Sequence, residues 1–296
     1  MPKIVSQCPL CGGSLHKRFE TVTFRGLTVS NQICTLCGFV FQSPRMTADE
    51  LDAFYADEYR QLYQGEEGPS PKDLHVQNLR AISLLKFTRG TVPKVNRHLD
   101  IGCSAGILLN TFHDHFNCES VGVEPGNAYR RYGQKRGLDV YPSLESLAST
   151  GAQPFDLISM AHVLEHFPDP VESLASLRES HLTLGGWLLI EVPNLYCHDS
   201  FETAHLTSFS AHTLCQTVQQ AGFETVKLRR HGYPRSKVLP LYLTLLARPM
   251  EGPLPPVRPE RGVPLKRRLG IFVRRAIERL TPSLAWVPWQ EDGVQP

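Results

Sequence analysis

The sequence predicts an α/β fold in which a doubly wound, mostly parallel sheet of seven strands follows a small four-cysteine ribbon. The sheet is predicted because residues 98–106, with the sequence HLDIGCSAG, pass from an apolar strand to a glycine turn and then into an apolar helix start. Further short apolar runs alternate with helix-like stretches as far as residue 249, as expected for strands joined by helical crossovers. The ribbon is predicted because two Cys-x-x-Cys-Gly segments lie within the first 38 residues.

Residues 1–46 are predicted to bind one structural zinc ion. The two cysteine pairs are separated by 22 residues, which is typical of a zinc ribbon, and the expected ligands are Cys8, Cys11, Cys34 and Cys37. Because these thiols would fill all four positions of a tetrahedral ion, the site is expected to be structural rather than catalytic. The alternatives for these cysteines are a redox pair or a disulfide framework.

Length and composition are those of an ordinary globular protein. The chain has 296 residues, of which 41% are hydrophobic and 20% charged, enough for one α/β domain with appendages. It has no run of 18 apolar residues and no signal-peptide core near its start, so the protein is expected to be cytoplasmic. The net charge of +2 gives no indication of a nucleic-acid partner.

The glycine turn after the first strand of the sheet is the predicted start of a cofactor crevice. Gly102 and Gly106 allow a ligand to approach the backbone, because a side chain at either position would obstruct it. A dinucleotide-binding fingerprint needs glycine at 102, 104 and 107, whereas this chain has Ser104 and Ile107. Phosphate binding is therefore the weaker interpretation, and Cys103 and Ser104 are expected to border a different cofactor.

An acid ends the second predicted strand of the sheet, where a ribose would bind. Glu124 follows Gly102 by 22 residues, close to the offset of about 20 at which a carboxylate accepts hydrogen bonds from ribose hydroxyls. With Asp100 ahead of the turn, the pattern Asp-x-Gly-x-x-x-Gly followed by Glu124 resembles the class I S-adenosylmethionine-dependent methyltransferases. The resemblance covers residues 96–249 and implies a Rossmann-like sheet whose last strand is antiparallel.

This resemblance implies further residues at the cofactor. Leu144 follows the third strand, where the family places residues around the adenine. Residues 161–170, with the sequence AHVLEHFPDP, resemble the family segment that borders both cofactor and substrate. The residues expected to bind S-adenosylmethionine are therefore Asp100, Gly102, Cys103, Ser104, Gly106, Glu124, Leu144, Ala161 and His162.

Two histidines are candidate catalytic bases, since a hydroxyl or activated-carbon acceptor must lose a proton. His205 is the first choice because its segment resembles the substrate-facing loop of sugar-modifying methyltransferases, and His166 is the second. Either ring could instead cap a helix or satisfy a buried carbonyl group. The ribbon and these segments together are similar to bacterial sugar and polysaccharide methyltransferases, which implies O- or C-methylation of a sugar or sugar nucleotide.

Two other functions compete with methylation of a small polar acceptor. An RNA methyltransferase would use the ribbon to hold RNA. Residues 1–46 contain only five basic residues, which is little positive charge for binding an RNA backbone. A non-catalytic interaction scaffold would have no reason to keep Asp100, the two glycines of the turn and Glu124. An enzyme that acts on a small molecule is therefore the preferred interpretation.

Two further segments flank the domain. Residues 47–95 are predicted to be helical, and Tyr55, Tyr59 and Tyr63 would share one helix face as a cofactor lid or a docking stripe. Residues 250–296 begin as a Pro-rich linker and continue as a basic amphipathic helix over 266–280. This helix is expected either to contact an anionic membrane surface or to pack back on the enzyme or on a partner subunit.

Overall fold

The computed structural model describes residues 3–54, 68–199 and 201–287. The predicted tyrosine face at positions 55, 59 and 63 lies outside these ranges. The described strands are β1 (His16–Phe24), β2 (Leu27–Cys34), β3 (Val40–Gln42), β4 (Arg97–Ile101), β5 (Glu119–Val123), β6 (Asp139–Tyr141), β7 (Phe155–Ala161), β8 (Leu182–Pro193), β9 (Thr207–Ser208), β10 (Phe223–His231) and β11 (Tyr242–Pro249). The described helices are α1 (Ala48–Ala53), α2 (Pro71–Thr88), α3 (Ile107–Phe116), α4 (Asn127–Lys135), α5 (Leu144–Ala148), α6 (Pro170–Ser180), α7 (Ala211–Gln220), α8 (Val263–Leu280) and α9 (Pro282–Ala285).

Seven strands form the central sheet, in the order β10-β11-β8-β7-β4-β5-β6. The five strands from β8 to β6 in that order are mutually parallel, whereas β11 runs antiparallel to both β8 and β10. The predicted fold class is confirmed, including the antiparallel last strand. The carboxyl ends of the parallel strands meet at one edge of the sheet, which is where such folds bind ligands.

The N-terminal ribbon forms a second sheet that includes a strand from far along the chain. Its order is β1-β2-β3-β9. Strand β9 pairs antiparallel with β3, so that Val40 lies opposite Ser208 and Phe41 lies opposite Thr207. The ribbon is therefore joined to the loop that follows the central strand β8.

The ribbon and the central sheet also share one hydrophobic core. Phe39 and Phe41 of the ribbon are fully buried in the same cluster as Ile190 of β8 and Phe209 after β9. The rings of Phe39 and Phe209 are 5.5 Å apart between centroids. Burial of each phenylalanine contributes roughly 1.5–3 kcal/mol, so packing as well as hydrogen bonding holds the ribbon to the sheet.

The helix expected before the first sheet strand is α2, and its start is capped. Ser70 and Asp73 form a capping box, in which each side chain accepts a hydrogen bond from the other's backbone amide, and Pro71 occupies the first turn. Leu84 is among the α2 side chains buried against the domain. The helix thereby places Arg80 next to the end of β8.

The predicted C-terminal helix is α8, and its contacts with the rest of the chain include those of two arginines and of buried Val263. Arg267 is 5% exposed and donates hydrogen bonds to the carbonyl oxygens of Leu195 and His198. Arg274 donates to the carbonyl oxygen of Cys197. Among the described helices, none combines the length and apolar character that crossing a membrane would need.

Candidate active site

A cavity of about 850 Å³ lies at the carboxyl-terminal edge of the parallel strands. Loops that follow the strands supply most of its wall, as is usual for ligand sites in this fold class. Every residue predicted from sequence for the cofactor or for catalysis, with one exception, contributes to that wall. These residues are Asp100, Gly102, Cys103, Ser104, Glu124, Leu144, Ala161, His162, His166 and His205.

The exception is Gly106, which begins α3 beside the cavity. Its φ of +78° is in the left-handed region, and an added Cβ would overlap the side chain of Leu138. Gly102 has a φ of +70°, and an added Cβ there would overlap the side chain of Val163. Both positions therefore need glycine for backbone conformation and for packing. Gly106 shapes the turn without forming part of the cavity wall.

Glu124 is buried at the end of β5, and its carboxylate is oriented by backbone amides. Its Oε2 accepts a hydrogen bond from the Ser104 amide and its Oε1 accepts one from the Gly126 amide, each at 2.9 Å. A carboxylate oxygen has two lone pairs, so each of these atoms is able to accept more than one hydrogen bond. The strand end thus presents a fixed hydrogen-bond acceptor at the predicted ribose position.

Asp100 begins a buried hydrogen-bonded chain that leads away from the cavity. The Ser159 hydroxyl donates to Asp100 Oδ1 at 2.6 Å, and His98 Nε2 lies 2.8 Å from the same hydroxyl oxygen. When Asp100 is ionised, the single hydroxyl proton of Ser159 is used on Asp100, so His98 Nε2–H is the donor to Ser159. Burial, reinforced by the charge of Glu124, raises the pKa of Asp100 to about 7, while burial lowers the pKa of His98 to about 3.

The substitution Asp100→Asn is expected to stabilise the ligand-free protein at alkaline pH. A pKa of about 7, against an ordinary value of 3.8, means that the folded protein holds a proton which the unfolded chain releases. Stability therefore falls as pH rises between these two values. Asparagine can still accept from Ser159 but cannot ionise, so the free energy of unfolding should rise by ~1–3 kcal/mol above pH 7.

The measurement is the difference in Tm between pH 5 and pH 8, compared with that of the exposed control Asp114→Asn. The wild type and the control should lose stability between these pH values by more than the Asp100→Asn variant does. An identical pH profile in all three proteins would show that Asp100 is already ionised at pH 5.

Glu165, His166 and His205 form a second group, and its two histidines line the cavity. Their ligand-forming atoms lie within 4.8 Å of one another, and the two imidazole rings are 5.0 Å apart, edge to face. His166 Nδ1 lies 2.9 Å from the carbonyl oxygen of Ala204, which can only accept, so this nitrogen carries the proton. Burial lowers the pKa of His166 to about 4, so its ring is neutral at pH 7.

Glu165 supplies the negative charge of this group. It is 1% exposed, and its Oε1 lies 3.4 Å from His162 Nδ1. Burial alone would raise its pKa, but His162 and His166 outweigh burial and lower the pKa to about 2. The carboxylate is therefore ionised at neutral pH and favours a positive charge on the imidazoles beside it.

A buried carboxylate on β8, Glu191, was not predicted as a site residue. Arg80 Nε lies 3.0 Å from one of its oxygens, and the Thr244 hydroxyl donates to the other at 2.9 Å. Against the effect of burial, hydrogen bonds with His162 and His231 hold its pKa well below the ordinary range. The available signal was a charged residue within the apolar run WLLIEVP, since glutamate is rarely buried without partners.

His162 connects the two carboxylates. Its φ is +59°, which residues other than glycine rarely adopt, and its amide donates to the Glu191 carbonyl at 2.8 Å. The ring nitrogens lie 3.4 Å from Glu165 and 3.6 Å from Glu191. Burial would lower the pKa of His162, but the two carboxylates raise it above its usual value. Backbone strain of this kind is concentrated at functional sites.

The charges of the cavity fit S-adenosylmethionine, which carries ribose hydroxyls and a positively charged sulfonium. The Glu124 carboxylate is a hydrogen-bond acceptor that suits hydroxyl donors. Asp100 is a buried acid with a raised pKa, and a nearby cation would favour its ionised form. The carboxylates at the ends of adjacent strands therefore suit a cationic nucleoside better than a phosphate.

The four ribbon cysteines converge with the geometry of a zinc site. The Sγ atoms of Cys8 and Cys37 are 3.6 Å apart, as are those of Cys11 and Cys34, and all four lie within 4.8 Å of one another. Tetrahedral zinc with bonds of about 2.3 Å separates its sulfurs by ~3.8 Å, whereas a disulfide needs about 2.05 Å. The cluster could hold one structural zinc ion, and its four thiols are free of disulfides.

Sequence comparisons place the chain among methyltransferases. A family described as "Methyltransferase domain" matches residues 74–228, just over half of the 296 residues. The ubiquinone biosynthesis O-methyltransferase of Hahella chejuensis is 33% identical over 87 residues, which cover 27% of this chain and 36% of that protein. The protein of the same name from Xanthomonas axonopodis pv. citri is 29% identical over 162 residues, 52% of this chain and 64% of that protein. The chain thus matches less than two thirds of the length of either relative.

Solved structures share the fold at low sequence identity. The 1,6-didemethyltoxoflavin-N1-methyltransferase of Burkholderia thailandensis, with bound S-adenosylhomocysteine, superposes with a TM-score of 0.55 at 16% identity, covering 72% of this chain and 96% of that one. The plantazolicin methyltransferase BpumL, also with S-adenosylhomocysteine, has a TM-score of 0.51 at 13% identity, covering 68% and 94%. Because the family match covers more than half of its residues, this chain belongs to the methyltransferase-domain family.

Proposed function

We propose that this chain is an S-adenosylmethionine-dependent methyltransferase that methylates a hydroxyl oxygen of a small polar acceptor, a sugar or a sugar nucleotide. One observation carries the proposal: His205, His166 and Glu165 cluster at the cavity whose wall also contains Asp100 and Glu124. A proton acceptor and a methyl-donor pocket therefore share one space, as direct transfer to a hydroxyl requires. The O-methyltransferase names of the curated relatives support oxygen, rather than carbon, as the accepting atom.

His205 is the proposed base. It is 8% exposed and lines the cavity. His166 is the weaker candidate, because its Nδ1 is committed to the Ala204 carbonyl and burial holds its pKa near 4. The charge of Glu165 is close enough to both imidazoles to stabilise the protonated form of either.

The reaction is a displacement that moves one proton onto the protein. When bound, S-adenosylmethionine supplies an electrophilic methyl group on a positively charged sulfur. His205 would take the proton of the acceptor hydroxyl as its oxygen receives the methyl group, and S-adenosylhomocysteine would be the leaving group. Glu165 stabilises the imidazolium until its proton passes to water. The chain contributes mainly by holding donor and acceptor in contact.

The cofactor is assigned to the residues predicted from sequence. Glu124 accepts hydrogen bonds from the ribose hydroxyls. The turn formed by Gly102, Cys103 and Ser104 lets the ligand approach the backbone. Asp100 supplies negative charge opposite the cationic ligand. The remaining proposed contacts are Leu144, Ala161 and His162.

The wall around the histidines supports a polar acceptor. It also contains His198, Glu202, Arg235 and Tyr242. Such groups can hydrogen-bond several hydroxyls at once, which suits a sugar. A ubiquinone precursor is the second candidate, supported by the names of the curated relatives.

The test is a partition of transferred label. Purified enzyme, methyl-labelled S-adenosylmethionine and an extract of the source cells are incubated and then separated into small polar molecules, lipids, nucleic acid and protein. Label in small polar molecules is the expected result. Label in the lipid fraction would favour the ubiquinone precursor, and label in nucleic acid would replace the proposal with an RNA methyltransferase.

The substitution His205→Gln is expected to lower kcat by ~100-fold or more, as loss of a general base does. Binding of S-adenosylhomocysteine should be unchanged, because the proposed cofactor contacts are elsewhere. The matched control is His115→Gln at an exposed histidine on α3. Unchanged kcat in His205→Gln would transfer the role of base to another group, with His166→Gln as the next variant.

A further inference from the structure

Helix α8 lies on the enzyme in the reverse of the usual amphipathic orientation. Its docked face carries Arg267 and Arg274, whose guanidinium groups bind backbone carbonyls of residues 195–198. Gly270 lies between them on the same face, and an added Cβ there would overlap the carbonyl oxygen of Tyr196. The docked face also includes buried Val263 and half-buried Ile277. This docking leaves the other large apolar side chains of the helix outward.

The outward face is a continuous apolar stripe. Its large side chains recur at the spacing that places residues on one side of a helix. Their exposed fractions are 71% for Leu265, 59% for Leu269, 69% for Phe272, 46% for Val273 and 79% for Leu280. Soluble proteins normally turn such a stripe toward their core, so its exposure among the described residues indicates a contact outside the chain.

Basic side chains border this stripe. Arg268, Arg275 and Arg279 are exposed and spaced by seven and four residues, which places them in one row along the helix. Glu278, the one acidic residue of α8, is paired with Arg274 on the docked side at 2.8 Å. The solvent side of the helix therefore combines exposed apolar side chains with exposed positive charge.

We propose that this face of α8, defined by the apolar stripe and its arginine row, binds the surface of an anionic lipid bilayer with the helix parallel to the membrane plane. A stripe of leucines and phenylalanine beside arginines is the chemistry that interfacial helices use to bind anionic membranes. A second copy of the chain is a poorer occupant, because it would bring two positively charged helices together. The proposal goes beyond the methyl-transfer reaction and does not depend on the identity of the acceptor.

The proposed membrane-binding face of α8 lies close to the wall of the active-site cavity. Arg267 bonds the carbonyl of His198 at 3.0 Å, and His198 contributes to the cavity. The cavity is therefore separated from the proposed bilayer contact by the 195–198 segment and one helix. This arrangement would hold the enzyme at the surface without the helix entering the cavity.

The experiment is flotation of the full-length protein with phosphatidylcholine vesicles that either lack or contain phosphatidylglycerol. The wild type should float together with the anionic vesicles. With the neutral vesicles it should stay in the bottom fraction, unbound. Raising NaCl to about 0.5 M should weaken binding, since screening reduces surface attraction. The double variant Leu269→Ser/Phe272→Ser and the triple variant Arg268→Ala/Arg275→Ala/Arg279→Ala should each bind at least ~10-fold more weakly.

The matched control is Leu184→Ser, which removes a 98% exposed leucine on a different surface and should float like the wild type. All variants change exposed side chains, and an unchanged Tm confirms that they fold. Absence of wild-type binding to anionic vesicles would overturn the proposal, as would equal binding by the double variant. A lipid-free dimer that dissociates on Leu269→Ser/Phe272→Ser, measured by analytical ultracentrifugation, would assign the face to a second copy instead.

Discussion

Substitution of Cys37 by serine is expected to reduce methyl transfer by ~100-fold or more while S-adenosylhomocysteine still binds. The reason is the pairing of β3 with β9, which lies two residues after His205. Loss of the metal cluster would free β3, and with it the hydrogen bond from the Gln42 amide to the Leu206 carbonyl. A displacement of about 1 Å in a catalytic group can cost ~100-fold in rate.

The ribbon also supports the other candidate histidine. Arg45 donates to the Pro168 carbonyl at 2.7 Å and lies 3.6 Å from the Asp169 carboxylate. These residues immediately follow the segment that carries His166. The ribbon therefore contacts the segments that carry both candidate histidines. None of its described residues, 3–46, lies in the wall of the cavity at Asp100 and Glu124.

The measurements are zinc content, turnover and S-adenosylhomocysteine affinity of Cys37→Ser, with Cys215→Ser as the control at a cysteine outside the cluster. The expected pattern is loss of zinc and turnover with affinity within ~5-fold of wild type, because structural zinc stabilises the fold around it. Normal turnover in a zinc-free variant would contradict the proposal that the ribbon positions the candidate histidines. A loss of S-adenosylhomocysteine affinity as large as the loss of turnover would mean that the ribbon stabilises the whole domain.

The second large effect is expected from Glu124→Ala, which should weaken S-adenosylhomocysteine binding by ~100-fold or more. Each hydrogen bond to a charged group contributes about 1.5–3 kcal/mol, and a ribose offers two hydroxyl donors. The variant also removes the acceptor of the Ser104 and Gly126 amides, so the turn should lose order as well. Calorimetric titration measures the affinity, and Tm reports the structural part.

Two variants separate binding from structure. Glu124→Gln keeps one acceptor oxygen and should bind more strongly than Glu124→Ala, while losing the negative charge. Glu119→Ala removes an acid at the other end of β5 that pairs with Arg97 on the surface, and its affinity should match the wild type. Wild-type affinity in Glu124→Ala would show that the ribose lies elsewhere in the cavity.

The parts of this molecule that could be predicted are those encoded by short sequence patterns. The strand, turn and helix around Gly102 follow from local composition, and Glu124 follows from its distance to that turn. The cysteine ribbon follows from spacing alone, because knuckles of this kind suit a tetrahedral ion. In each case the residues that interact either lie near one another in sequence or share a fixed offset.

The parts that could not be predicted depend on contacts between distant segments. The two-residue strand β9 is too short to have a sequence signature, and it exists because β3 pairs with it. The role of Glu191 depends on Arg80 and His231 arriving from other elements. For α8, periodicity indicated which residues share a face, but the docked side depends on carbonyl groups of residues 195–198 that receive the arginines.

The β3–β9 pairing also bears on how such an enzyme could be rebuilt. The predicted boundary after residue 46 marks a natural place to graft a different N-terminal module, yet the segment around His205 forms part of the same small sheet. A transplant that moved the ribbon alone would leave Thr207 and Ser208 as an unpaired edge. A graft that preserves this sheet would therefore exchange the ribbon and residues 205–208 together.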